Sequence, residues 1–172
     1  MRSYCPGMLN RETSGMNGQQ KLYFEDYAVG TKDSFGRYEV TREEVIDFAR
    51  KYDPQPFHLS DEAAAKSLFG RLCASGWHTC AMTMRMMVDH MAEIGAQSLG
   101  SPGIDELRWL HPVYPGDVLR VETEVVEARR MRSRPDVGIL RSVWRVLNQD
   151  DREVMTFTGN AMFRCRSAGT EV

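Results

Sequence analysis

A chain of 172 residues can bury a core of its own, and 42% hydrophobic with 27% charged residues is the balance of a soluble globular domain. A formal charge of -2, from 22 Lys and Arg against 24 Asp and Glu, argues against nucleic acid as the partner. No apolar run approaches a membrane span and the first residues lack a signal peptide's apolar core, so a cytoplasmic location is expected.

Residues 1–20 are polar, rich in Gly, Ser and Asn, and read as a flexible leader. A single domain is expected over 21–167, with a short tail over 168–172. Gly30 and Gly36 mark a turn entering a short strand around 35–40. Thr41 begins a helix signal: Glu44 completes a capping box, and Val45, Ile46, Phe48 and Ala49 supply an apolar face that ends before Pro54. A second, short helix runs from Ser60 or Asp61 to Leu68, with Ala64, Ala65 and Leu68 as its apolar positions. The longest helix covers 77–94. In it Cys80, Met84, Met87, Val88 and Met91 recur at spacings of three and four, an apolar stripe expected to lie against a sheet, while Arg85, Asp89 and Glu93 face water.

Strands over 105–111, 118–127, 139–147 and 154–165 make up the rest, punctuated by PVYPGD, by the arginine-rich stretch near Arg132 and by NQDD near Asp150. In the last of them Met155, Phe157, Ala161, Phe163 and Cys165 share one parity, and Gly159 marks a bulge or a close backbone approach. Consecutive strands with short connections and one long covering helix make a mostly antiparallel α+β fold. One helix leaves part of such a sheet and an edge uncovered, so homodimerisation through the sheet is expected. Cys5, Cys73, Cys80 and Cys165 have no zinc or redox-pair spacing and read as reduced thiols.

The segment DPQPFH carries the first chemical candidates. Pro54 and Pro56 stiffen an ordered, non-helical loop holding Asp53 and His58 five residues apart. They are an acid–base pair if both turn into one cleft, and loop stabilisers if they do not. Gln55 between them is a further polar contact or a turn residue. Ser75 and Gly76 open the long helix, where the first N–H groups lack intrahelical partners and a glycine admits a ligand oxygen to the backbone. That suits a donor to a developing enolate; ordinary capping by Ser75 is the alternative.

Trp77 and His78, at the same entrance, are candidates for lining a pocket, and both are equally at home in packing. His78 and His90 lie twelve residues apart and His111 is isolated, so no metal-ligand spacing occurs. Ser75 lacks the glycine of a nucleophile elbow, and no local pattern favours a Cys–His pair. Arg129, Arg130, Arg132 and Arg134 form a basic cluster at a hairpin, solvated or in contact with the phosphates of a large anionic ligand.

Together with LSDEAAAKSLFG, CASGWH and LRWLHPVYPGD, these residues resemble the MaoC-like acyl dehydratases, whose best-known members are (R)-specific enoyl-CoA hydratases with a hotdog fold. The family's motif is Asp, Asn two residues later, then Pro, and His after one more. Asp53, Pro56 and His58 match it, and Gln55 stands where Asn is usual. The family's serine further into the helix has no counterpart, since Thr79 and Ala81 occupy that neighbourhood.

The resemblance spans about 24–166. It implies a long central helix wrapped by an antiparallel sheet, a homodimer or dimer of dimers, and Asp53 and His58 as catalytic residues in an acyl tunnel. The Gly76 N–H would bind the thioester oxygen. Gln55, Ser75, Trp77 and His78 would contact the substrate, and Arg129, Arg130 and Arg132 the CoA phosphates. The implied reaction is reversible hydration of a 2-enoyl-CoA to a 3-hydroxyacyl-CoA, with no metal or redox cofactor and CoA as part of the substrate. Asp53 is expected to activate and orient the water, with His58 sharing the proton traffic. A hotdog thioesterase and a non-catalytic acyl-CoA binder are the alternatives.

Overall fold

The computed structural model describes residues 21–167. The expected leader over 1–20 and tail over 168–172 lie outside the described residues. Thr41 caps α1 (Arg42–Tyr52), its hydroxyl accepting the Glu44 N–H at 3.3 Å, as the Thr-x-x-Glu spacing predicts. Val45 and Ala49 are buried on its inner face. The helix ends at Asp53, since Pro54 cannot extend the hydrogen-bond ladder. The following loop holds one 3-10 turn, Pro56–His58, where the sequence suggested none. Pro56 leads it, with a ring-fixed φ that suits a first helical position.

α2 (Asp61–Ala65) is capped by Ser60 and stops short of the expected Leu68. The Ser67 hydroxyl donates to the Ala64 carbonyl at 2.7 Å and accepts the Phe69 N–H at 3.1 Å, which turns the chain out of the helix. Leu68, expected on the apolar face, is fully exposed.

α3 (Gly76–Glu93) corrects the expected apolar stripe. Its buried residues are His78, Thr79, Met82, Thr83, Met86 and His90, whereas Met84 and Val88 are about half exposed. Three of the polar residues on the inner face find hydrogen-bond partners, the threonines within the helix and His90 on β1. Thr79 and Thr83 donate to carbonyls one turn back, at 3.4 and 2.8 Å, and His90 Nε2 lies 2.7 Å from Asp33 Oδ2. His90 also stacks on Phe35 with ring centroids 4.0 Å apart. Cys80 and Met87 sit at the edge of the core, partly buried. Arg85 and Asp89 pair on the wet side at 2.8 Å, as expected.

Five strands form one sheet: β1 (Lys32–Glu39), β2 (Ser98–Trp109), β3 (Val118–Arg130), β4 (Val137–Leu147) and β5 (Glu153–Arg164). Their order is β1-β3-β4-β5-β2, and every neighbouring pair is antiparallel. β2 begins at Ser98 rather than near 105. Gly100, Pro102 and Gly103 look like a turn in sequence, but an edge strand tolerates proline and bulges. Its register with β5 slips three times, and Gly100, Gly103 and Glu106 take positive φ.

Met82 and Met86 of α3 pack on Leu119, Val121, Val146, Val154 and Met155 of the sheet. Burying each such side chain contributes about 1.5–3 kcal/mol. In β5 the expected parity holds for Met155, Phe157 and Phe163, all buried, and for Cys165 just beyond the strand, while Ala161 is half-buried. Gly159 marks a close approach: a Cβ there would lie 2.7 Å from Trp144 Nε1. The long helix against one face of an antiparallel sheet is the α+β hotdog arrangement. Cys73, Cys80 and Cys165 are free thiols, and Cys5 lies outside the described residues. Among the described residues, no helix is long and apolar enough to cross a membrane.

Candidate active site

The loop after α1 turns Asp53 and His58 toward each other. His58 Nε2 lies 3.5 Å from Asp53 Oδ2, and the imidazole is 5% exposed. On the other side of the ring, Nδ1 lies 2.7 Å from the Cys73 carbonyl oxygen. A carbonyl only accepts, so Nδ1 carries hydrogen and Nε2 is the nitrogen left for chemistry. Phe57 meets the ring edge-on at 4.6 Å, and Phe69 lies 6.2 Å away, so the imidazole is fixed in plane and position.

The carboxylate is held as firmly. The Ser75 hydroxyl, twenty-two residues along the chain, donates to Asp53 Oδ2 at 2.6 Å, and the Gln55 amide donates to Oδ1 at 2.8 Å. The Ser75 hydrogen bond, opposed by burial and supported by Gln55 and the His58 charge, holds the Asp53 carboxyl below the usual carboxylate range. Asp53 is therefore an anion at neutral pH. Ser75 and Gln55, expected to contact substrate, each donate a hydrogen bond to Asp53.

Ser75 also caps α3, accepting the Trp77 N–H at 3.3 Å. Gly76 is the first residue of the helix, where N–H groups have no intrahelical partner. A steric reason for this glycine was not visible in sequence. A Cβ there would fall 2.5–2.8 Å from three ring atoms of Trp109, whose Nε1–H donates to the Gly76 carbonyl at 3.0 Å. Trp109 comes from β2, and Trp77 meets it edge-on at 5.3 Å while remaining exposed.

His78 turns toward α1, stacked on Phe48 with ring centroids 4.6 Å apart. It is buried, its Nδ1 has no hydrogen-bond partner, and burial, opposed by Glu44, pushes its pKa down. The arginines stand elsewhere. Arg129, Arg130 and Arg132 line an open depression of about 670 Å³ at the β3–β4 hairpin, with Arg130 paired to Glu25 at 2.5 Å. The Ser75 end of the fold adjoins the start of β3, since Ala74 N–H bonds Val113 and Val40 N–H bonds Asp117. Arg130 closes that strand, roughly 40 Å along at about 3.3 Å per residue. One chain does not bring these arginines to its own Asp53 and His58.

Two contributors escaped the sequence reading, the Cys73 carbonyl and Trp109. Both sit in segments, CASGWH and LRWLHPVYPGD, that were conspicuous as motifs, but no spacing rule announces either contact. The Cys73 thiol lies 3.7 Å from His58 Nδ1, and burial pushes it up to about 11, so it stays protonated and is a poor nucleophile. Among the described residues, no group of three or more His, Cys, Asp or Glu is placed to hold a metal ion. The arrangement offers an ionised carboxylate, an imidazole nitrogen facing it and a nearby helix-entrance N–H. It suits proton transfer beside a developing oxyanion.

Residues 26–144 match the family model described as MaoC like domain. The chain is 31% identical over 123 residues to the 3-hydroxybutyryl-CoA dehydratase of Methylorubrum extorquens, covering 71% of this chain and 75% of that protein. Among solved structures it is similar to the MaoC-like dehydratase from Rhodospirillum rubrum, with a TM-score of 0.78 and 41% identity, covering 85% of this chain and 99% of the other. The unliganded R-hydratase PhaJ1 from Pseudomonas aeruginosa superposes with a TM-score of 0.65 at 25% identity, over 84% of this chain and 86% of that one.

Proposed function

Because the chain belongs to the MaoC-like dehydratase family, we propose that it adds water reversibly to a 2-enoyl-CoA thioester, with Asp53 and His58 handling the water. The observation that carries this reading is the facing of Asp53 Oδ2 and His58 Nε2 across 3.5 Å, with the outer side of each group already held by the protein. A water resting against both acceptors donates a hydrogen to each and presents its lone pair to the β-carbon. Charge builds on the thioester oxygen as that bond forms. The Gly76 N–H, at the positive end of an eighteen-residue helix, is the donor for it.

One such donor contributes about 3 kcal/mol to the barrier, and a positioned acid–base pair about 10²–10⁴-fold in rate. The ring of Trp109 fills the space a side chain at position 76 would take. The product is a 3-hydroxyacyl-CoA, and dehydration is the same path reversed. The relative named 3-hydroxybutyryl-CoA dehydratase supports a short acyl chain as the first substrate to try.

A second copy of the chain completes the reading. Trp77, Met84 and Val88 form an outward stripe on α3, about half exposed, and Ile104, Trp109 and Leu110 are similarly exposed on and just after edge strand β2. The Trp77–Trp109 contact joins the two into one apolar surface beside the Gly76 entrance. β2 is an edge strand of the sheet, so a second copy can meet both this edge and the α3 stripe.

The test is a panel of short, long, branched and dicarboxylic 2-enoyl-CoAs, followed by loss of enoyl absorbance with a thiol-reactive dye in parallel. Hydration without thiol release supports the proposal. Thiol release identifies a thioesterase instead, and binding without either signal identifies a non-catalytic acyl-CoA binder.

A further inference from the structure

Both oxygens of the Asp53 carboxylate are occupied, Oδ1 by the Gln55 amide at 2.8 Å and Oδ2 by the Ser75 hydroxyl at 2.6 Å. Oδ2 is also the oxygen facing His58 Nε2, and 3.5 Å is too long for a good direct hydrogen bond. Ser75 is 1% exposed. A hydroxyl has one hydrogen to give, and here it goes to Asp53.

We propose that Ser75, seconded by Gln55, is a positioning residue that keeps Asp53 a fixed anion, so that His58 alone carries the proton between water and the substrate α-carbon. This deepens the hydratase reading and rests on it for the chemistry. Water lies against Asp53 Oδ2 and His58 Nε2. Its oxygen forms the bond to the β-carbon, the π pair of the double bond moves into the enolate, and the water proton passes to Nε2. The imidazolium then delivers a proton from Nε2 to the α-carbon as the enolate collapses, which leaves the ring neutral and one water added. Asp53 begins and ends ionised.

Midway, the imidazolium is flanked by the Cys73 carbonyl at Nδ1 and the Asp53 charge near Nε2. A carboxylate stabilises an imidazolium without taking its proton, provided its own basicity is kept low. The Ser75 hydrogen bond supplies that condition at the oxygen concerned. The titratable groups facing one another in this cluster are Asp53 and His58. The Cys73 thiol behind the ring is held protonated by its burial.

The experiment measures kcat and KM for crotonyl-CoA hydration against pH in wild type, Ser75→Ala, Ser75→Thr and Gln55→Leu. Nitrogen NMR follows the His58 ring in the same substrate-free proteins. Wild-type activity should fall on the acid side, in step with protonation of His58. Ser75→Ala should lower kcat by about 10–100-fold with KM little changed. It should also move both the acid limb and the His58 titration to higher pH, because the bared Oδ2 now attracts the Nε2 proton. Ser75→Thr, which keeps a hydroxyl, should restore both. Gln55→Leu lies on an exposed loop and should give the same shift, smaller, even if Ser75→Ala does not fold. An unmoved His58 titration in Ser75→Ala and Gln55→Leu overturns the proposal. So does wild-type activity lost on the alkaline side as His58 deprotonates, which would make His58 the acid and Asp53 the base. Absence of hydration of any enoyl-CoA removes the hydratase reading and the proton relay together. A shifted His58 titration would still support the hold of Ser75 on the pair.

Discussion

Replacing Gly76 by alanine tests how the entrance of α3 is built. The added Cβ would lie 2.5–2.8 Å from Trp109 ring atoms, closer than any packed carbon tolerates, so the ring must leave. Within one chain Trp109 is 47% exposed, so outward displacement of the ring is cheaper than backbone strain, although it perturbs the apolar surface proposed to meet a second copy. Displacement forfeits the Nε1–H hydrogen bond to the Gly76 carbonyl, about 1 kcal/mol, and the edge contact with Trp77, about 0.5–1.5 kcal/mol. Alanine returns up to about 1 kcal/mol through its better helix propensity. The net expectation is a loss of about 1 kcal/mol in urea unfolding of Gly76→Ala. In a Trp109→Leu background the clash disappears and the same substitution should be neutral or stabilising, a coupling of about 1–2 kcal/mol. The backbone N–H survives in every variant, so recovery of hydration in the double variant would assign any loss in Gly76→Ala to the displaced indole. Additivity within about 0.5 kcal/mol would refute the steric argument.

The Asp53 carboxyl is held below its ordinary value near 3.8, so its contribution to stability is full above that pH and declines as pH falls through the lower folded-state value. The unfolding free energies of wild type and Asp53→Asn should therefore differ by a constant amount at neutral pH and converge below about pH 3.8, as followed by urea titration. His90→Phe keeps an aromatic ring against Phe35 but loses the 2.7 Å bond to Asp33. It should destabilise by about 1–3 kcal/mol in the same assay, and an unchanged midpoint would show that the bond contributes nothing net. Val88→Asp puts a charge in the outward stripe of α3 at little cost to the monomer. Light scattering should show a wild-type dimer and a monomeric variant, and a dimer in both would place the interface elsewhere.

Where local rules applied, the sequence was a good guide. Thr41 and Glu44 announced α1, Pro54 its end, and the period-two pattern of β5 its buried face, because each depends on residues within one turn or one strand. The inner face of α3 was misread because threonine and histidine look polar until their partners are known. Thr83 bonds Thr79 inside the helix, but His90 needs Asp33 from β1, fifty-seven residues away. The start of β2 was missed because its glycines and proline follow turn rules, and only pairing with β5 makes them a strand. At the site, Asp53 and His58 were legible through their shared rigid loop. What the sequence could not show were partners brought in by the fold: Ser75 reaches back twenty-two residues to Asp53, Trp109 packs on Gly76, and Arg130 lies at the far end of β3.

The most direct measurement is the turnover of crotonyl-CoA by wild type, Asp53→Asn and His58→Ala, with circular dichroism confirming that all three are folded. The wild type should hydrate it, and each variant should lose about 10²-fold or more in kcat. Near-normal turnover by both variants would show that this carboxylate and imidazole do not handle the water.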